Sequence, residues 1–430
     1  MYYPRRSFLR KISSLSAASA LLPVLLPQSS LKIKSIVDSK LELRPKDIAE
    51  DDLFWAEIRK MYKVSDQFVN LENGYYSLAA EPVLNAQERH NRVINQVPSY
   101  YMRRQQFEDY AKVKTALAKF AGCSPEEMTI CRNTTEALNT VIMGLQMNPG
   151  DEAIMTNQDY GSMLAAFEQR SRRDKIINKI ISLPLHPKND REIVSAYERA
   201  ITDRTKVILV THVINITGQV LPVKKIAEMA HAHGVEVISD SAHALGHLDF
   251  KVQELGCDYF GTSLHKWVGA PLGTGMMYIR KDKISKVWPL MGDDTFADND
   301  IRKFEHLGTR PCGINLSILD ALEFQETLGV ARKQARLRYL KKYWVNQVKN
   351  VPGITINTAH EEHRSSAIAN VGVKNLPPVS LANRLFDKYK IFTVAIDMEA
   401  VKGVRITPHL YTSTEDLDQL VVALKEISRS

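Results

Sequence analysis

Short β-branched runs alternating with helical stretches constrain this chain more than any other feature. Candidate strands lie at Met128–Cys131, Glu152–Thr156, Ile176–Ser182, Val207–His212, Val235–Asp240, Tyr259–Thr262 and Thr274–Ile279. Helical spacing falls between several of them, as over Glu136–Gly144 and Lys224–His233. Strands that are apolar throughout need cover on both faces, and intervening helices supply it, so the expected class is α/β with a mostly parallel sheet. Sheets of this kind gather ligands at the carboxyl ends of their strands.

Beyond about Gly313 the pattern changes. A long helix is expected through LSILDALEFQETLG and on to about Lys349. Strands at Ile354–Asn357, Ala367–Val373, Phe392–Ile396 and Val404–Thr407 follow, then a last helix over Glu415–Ile427. With 430 residues the chain exceeds one ordinary domain. The expected division is a large domain over 81–312 and a smaller C-terminal α/β domain over 313–430. A segment over 51–80 should pack with the smaller one, and 31–50 should be a linker. Within 51–80, an amphipathic helix is expected from Asp51 to Tyr62, then a short strand entering a turn at Asn73-Gly74.

The first 30 residues read as a targeting segment. Arg5-Arg6 is followed by Phe8-Leu9, then Arg10 and Lys11, then a mostly apolar stretch from Ile12 to Leu26 broken by serines and Pro23. That stretch is short for a membrane span, which needs roughly 20 apolar residues. The pattern resembles a twin-arginine export signal, a route taken by proteins that fold first, so a periplasmic or otherwise exported location is expected. An uncleaved signal acting as a membrane anchor is the alternative. The segment also explains half of the net charge of +8, since its four cations have no acidic neighbours and their removal leaves +4. The remaining charge is dispersed and forms no basic run beside aromatics, so no nucleic-acid partner is expected. Four cysteines, Cys123, Cys131, Cys257 and Cys312, have neither CxxC nor metal-ligand spacing, and no metal is expected.

Two residues carry the chemistry. Asp240 ends an apolar strand and heads the run Asp240-Ser241-Ala242-His243, so its carboxylate belongs at the mouth of the sheet. Lys266 lies just past another strand, beside Trp267 in the glycine-rich stretch GTSLHKWVGAPLGTG. An amine and a carboxylate meeting one ring are what pyridoxal 5'-phosphate (PLP) requires: a lysine to form the Schiff base, and a carboxylate on the pyridine nitrogen to make the ring an electron sink. Taken singly, each has an ordinary reading. An aspartate after a strand commonly caps a helix, and a lysine is commonly surface charge.

In combination these motifs resemble the class V aminotransferase family, in its isopenicillin N epimerase-like branch, over roughly Phe68 to Leu420. The resemblance implies PLP fold type I, a seven-stranded sheet, and a small-molecule amino-acid substrate. It assigns Lys266 to the Schiff base, Asp240 to the pyridine nitrogen, and His243 and Asn215 to the phenolic oxygen. Thr134 and Thr135 of CRNTTEALN, with Ser263 and His265, would hold the phosphate. Tyr160 of TNQDYGSM would stack on the ring, and Arg405 of GVRITPHL would grip the substrate carboxylate. Thr309 of HLGTRPCG would reach the neighbouring subunit's cofactor, which implies a homodimer with shared sites. Related desulfurases need a cysteine shortly before that arginine. The stretch KYKIFTVAIDMEAVKGVR has none, so that activity is disfavoured. Epimerase, aminotransferase and β-lyase chemistry remain open, with Tyr75, Tyr76, Tyr101 and Arg103 as candidates for a second acid–base group. A protein that binds PLP without turnover is disfavoured by the full set of lysine, aspartate and arginine.

Overall fold

A computed structural model describes residues 28–40, 42–359 and 361–429; the export-signal reading over 1–30 falls outside the described residues except at 28–30, which begin a helix. Among the described residues there are thirteen strands. They are β1 Val69–Asn70, β2 Met128–Cys131, β3 Glu152–Thr156, β4 Ile177–Ile181, β5 Thr205–Thr211, β6 Glu236–Asp240, β7 Tyr259–Ser263, β8 Gly275–Ile279, β9 Ile354–Ile356, β10 Ala369–Val373, β11 Ile391–Phe392, β12 Val394–Asp397 and β13 Lys402–Ile406. Seven of them form one sheet in the order β2-β8-β7-β6-β5-β3-β4. Both neighbours of β8 pair with it antiparallel, and every other pairing in the sheet is parallel. This is the mostly parallel seven-stranded sheet of the expected fold class.

The apolar runs have the expected cause. Every residue of β3 is buried, and successive side chains enter opposite faces. Ile154 joins the large core, while Ala153 and Met155 join the core on the other face. Strand β5 divides in the same way, with Ile208 and Val210 on one side and Val207 and Leu209 on the other. At the sheet's edge β4 loses this cover, and Ile177 and Ile180 are exposed.

The smaller unit is a four-stranded antiparallel sheet, β12-β13-β10-β9. Its core includes Val371, Val404 and Ile406 from the sheet, and Trp344, Leu385 and Leu420 from the helices Val330–Val348, Pro378–Tyr389 and Thr414–Ile427. Leu71 also enters that core, because β1 pairs parallel with β11 and draws the segment after the helix Asp52–Arg59 onto it.

Two expectations differ from the structure. The single long helix after Gly313 is two helices, Cys312–Leu328 and Val330–Val348, parted at Gly329. Gly329 has φ +86°, a conformation outside the helix that glycine adopts without the penalty a Cβ imposes. The first of the pair places Ile318, Leu322 and Leu328 in the large core with Val113 and Leu117, and the second spans both cores, with Leu337 in the large one and Leu340 and Trp344 in the small one. The stretch 31–50, read as a linker, contains much of the helix Gln28–Asp38 and the short turn Pro45–Ile48. Ile33 and Val37 are four residues apart on one helical face and both are buried. That stripe is real but short, and the polar residues around it mask it in the sequence.

Candidate active site

The ends of β5, β6 and β7 and the start of one helix meet around a cavity of about 240 Å³. Thr134, Thr135, Tyr160, Asn215, Asp240, His243, Ser263, His265 and Lys266 all line it. Strand order explains the convergence, since β5, β6 and β7 are parallel neighbours whose carboxyl ends deliver Thr211, Asp240 and Ser263 to one rim.

Asp240 is buried and accepts the Ala242 N–H at 3.1 Å. Burial pushes its pKa up, opposed by that N–H and by the Lys266 charge. Lys266 is half-buried, and burial lowers its amine to about 8, although Asp240 acts the other way. Its Nζ lies 3.3 Å from His243 Nε2. Trp267 Nε1–H, which can only donate, points at His243 Nδ1 at 3.2 Å. In its neutral form His243 therefore carries its proton on Nε2, the nitrogen facing Lys266. Neutrality is enforced, because burial first and the Lys266 charge second hold its pKa well below the ordinary histidine value. The backbone of the lysine loop is tied down in turn: the Ser77 hydroxyl donates to the Lys266 carbonyl, and the buried Lys333 amine to the Trp267 carbonyl.

Another part of the lining is the N-terminus of a helix, a place that suits an anion. Asn133 caps the helix Thr134–Gly144, its side chain accepting the Glu136 N–H. The Thr134 N–H goes to Ser263 Oγ at 3.0 Å, and the two hydroxyls lie 2.7 Å apart. This leaves the Thr135 N–H as the uncommitted donor of the first turn, at the positive end of the helix dipole. Gly275 lets β8 approach this cap. A Cβ there would stand 2.6 Å from Asn133 Cα.

Two expected site residues lie elsewhere. Thr309 is exposed and does not line the cavity, so any role for it requires a second chain. Arg405 is fully buried and is likewise absent from the lining. Glu72 holds it, accepting Nη2–H at 2.6 Å and Nε–H at 3.1 Å, while Nη1–H reaches the Asn215 carbonyl at 3.1 Å. Of the acid–base candidates, Tyr75 and Tyr76 face the cavity. Tyr101 is buried away from it, and Arg103 is exposed on the short π-helix Tyr101–Gln105.

Several contributors were not identified from the sequence. Thr211 and Met163 line the cavity. Asp159 supports it from behind, accepting the Thr211 hydroxyl and the Thr156 N–H, each at 2.6 Å. Burial, with Asp240 adding to it, raises Asp159 to about 7. Its position directly before Tyr160 in the quoted motif was the available signal.

A half-buried amine, a buried carboxylate and a hydroxyl-rich helix terminus around one cavity suit a phosphorylated pyridine aldehyde. The Asn215 Oδ1 atom is buried with no hydrogen-bond partner among the described residues, a further polar group that a ligand could satisfy. The site and the sheet together define a PLP enzyme of fold type I. The chain belongs to the class V aminotransferase family, whose model matches residues 77–420. It is 27% identical to the isopenicillin N epimerase of Amycolatopsis lactamdurans over 397 residues, covering 87% of this chain and 99% of that protein. It is 26% identical to a probable cysteine desulfurase of Halalkalibacterium halodurans over 409 residues, covering 86% and 97%. Among solved structures, a C-DES variant with glycine covalently linked to its PLP cofactor superposes with a TM-score of 0.78 at 19% identity, covering 86% of this chain and 99% of that one. The apo cysteine desulfurase of Thermococcus onnurineus NA1 gives 0.77 at 22% identity, covering 87% and 98%. The cofactor is pyridoxal 5'-phosphate.

Proposed function

We propose that the enzyme acts at the amine-bearing carbon of an amino acid or an amino-acid-containing compound, as an epimerase of the isopenicillin N epimerase-like kind. The observation that carries this reading is the lining of the cavity, which offers the amine of Lys266 and the phenols of Tyr75 and Tyr76 but no thiol. Bound PLP would supply an electron sink for the substrate carbon. Lys266 would hold the cofactor and, once released by substrate, move the proton at that carbon. Asp240 would keep the pyridine nitrogen protonated, and Tyr160 would cover the ring. His243 and Asn215 would orient the phenolic oxygen, and Thr134, Thr135, Ser263 and His265 would hold the phosphate. Tyr75 or Tyr76 would serve as the second acid–base group that inversion requires.

Cysteine desulfurase chemistry lacks its nucleophile here. None of the four cysteines lines the cavity, and burial pushes the thiols of Cys123 and Cys257 up to about 12. Aminotransferase and β-lyase reactions share the early steps and are separated by experiment. Incubation in deuterium oxide with a panel of amino acids and their derivatives, followed by chiral analysis, should give deuterium at the α-carbon with inversion. Stoichiometric keto acid without inversion would replace this reading with transamination, and elimination products would replace it with a lyase.

The enzyme is further proposed to be a homodimer, with Thr309 of each chain reaching the other's cofactor. The exposure of Thr309 and of the rim residues Tyr76 and Leu272 supports this arrangement. Export by the twin-arginine route rests on Arg5-Arg6 and the apolar stretch behind them. Among the described residues no helix is long and apolar enough to cross a membrane.

A further inference from the structure

Behind the part of the cavity wall made by Tyr75 and Asn215 lies a closed charge pair. Arg405 and Glu72 meet in two hydrogen bonds, and both side chains are almost fully buried. Glu72 is itself locked, because its Oε1 also accepts the N–H groups of Gly74 at 3.0 Å and Tyr75 at 2.9 Å. The Tyr75 ring covers the guanidinium at 4.2 Å, and it is Tyr75, not Arg405, that faces the cavity. Gly74 permits this closeness, since a Cβ there would come within 3.1 Å of the guanidinium carbon. The bidentate face that an arginine offers to a carboxylate is thus filled by a carboxylate of the chain itself. What the substrate meets is a neutral pair behind an aromatic ring.

We propose that Glu72 determines specificity, closing Arg405 to free α-carboxylates so that the site takes primary amines whose α-carbon bears an uncharged carbonyl, such as an amino-acid amide or the amino end of a peptide. Two considerations favour that class. A free carboxylate brought to this wall would have to displace a buried, four-times hydrogen-bonded carboxylate, and a neutral carbonyl does not. A neutral carbonyl also stabilises negative charge developing at the α-carbon, whereas a carboxylate opposes it, so proton removal here needs no cation to neutralise the substrate. The inference rests on the PLP reading and narrows its substrate class.

The test is a competition on holoenzyme. Equimolar mixtures of L-alanine and L-alaninamide, and of L-methionine and L-methioninamide, are added to dialysed enzyme and to free PLP. Sodium borohydride then traps the cofactor–amine adducts, and mass spectrometry gives the acid-to-amide ratio. Relative to free PLP, the wild-type enzyme should enrich the amide adduct about tenfold or more, and Glu72→Gln should move the ratio towards the acid by about tenfold, the scale of one hydrogen bond to a charged group. Enrichment of the acid by wild-type enzyme would overturn the proposal, with or without a folded variant. An unchanged ratio in a folded Glu72→Gln enzyme would overturn it as well. A separate control, reduction of resting enzyme, should place phosphopyridoxyl on Lys266. If it does not, the cofactor assignment has failed rather than the specificity assignment.

Discussion

Burial sets the reactivity of Lys266, and the consequence is measurable without knowing the substrate. Burial lowers the amine from its ordinary 10.5 to about 8. That difference corresponds to about 3 kcal/mol of disfavoured charge. At pH 7.5 roughly a quarter of this amine is neutral, against about one part in a thousand for a solvated lysine, so capture of PLP should be about two hundredfold faster than solvation alone would allow. The assay is stopped-flow absorbance of PLP added to apoenzyme between pH 6 and 11, with Lys266→Ala as the blank and a water-exposed lysine analogue as the reference. The rate should reach its plateau just above pH 8. Asp240 opposes the shift, so Asp240→Asn should move the midpoint lower still. Folding stability gives a second readout. Between pH 8 and 10.5 the unfolded chain holds more protons at this site than the folded chain, so apoenzyme should gain stability with rising pH relative to Lys266→Met, by up to about 3 kcal/mol over that window. A capture rate still climbing tenfold per pH unit at pH 10 would show that the amine is solvated, and the argument from burial would fail.

Gly275→Ala should cost about 1–3 kcal/mol by thermal or denaturant unfolding and weaken PLP binding, because the new Cβ displaces the Asn133 cap; unaltered affinity would remove the cap from the phosphate site. Arg405→Met leaves the Glu72 carboxylate buried without its partner and should destabilise by about 3–5 kcal/mol, with much of that recovered in the Arg405→Met, Glu72→Gln double variant. A double-variant loss equal to the sum of the two single-variant losses would mean the two residues are not coupled. Trp267→Phe removes the donor that fixes the His243 tautomer, so the pH profile of PLP capture should change, alongside the loss of stability that shrinking a fully buried ring brings. Incubation with L-cysteine should leave Cys123, Cys131, Cys257 and Cys312 free of persulfide by mass spectrometry, and a persulfide on any of them would restore the desulfurase reading.

The sheet was legible because burial on both faces imposes a simple signature. Each of the seven strands reads as a short apolar or β-branched run, and the structure moves their ends by no more than two residues. What did not read through was local. The break at Gly329 depends on a single backbone conformation inside an otherwise continuous helical pattern, and glycine within such a pattern does not announce its φ. The helix Gln28–Asp38 presents only a narrow apolar stripe, and tertiary burial of Ile33 and Val37 gives it the support that its sequence pattern alone does not advertise.

At the cavity, legibility followed distance along the chain. Asp240, His243, Ser263 and Lys266 sit at or just beyond strand ends, and one parallel sheet brings such ends together wherever the strands adjoin. Arg405 was legible by position on its strand, yet its partner lies 333 residues upstream. Only pairing of β1 with β11, and the bridge of Glu72 to Thr407 beside it, brings the two together. No periodicity or local spacing encodes that meeting. Its consequence is chemical rather than architectural: one glutamate in the run LENGYY converts a positive wall into a neutral one. Residues assigned to the cofactor would act on a group common to the whole family, and motif spacing can find them. The residue proposed to select the substrate would act by cancelling another residue's charge, and that pairing becomes visible only when both are seen in one place.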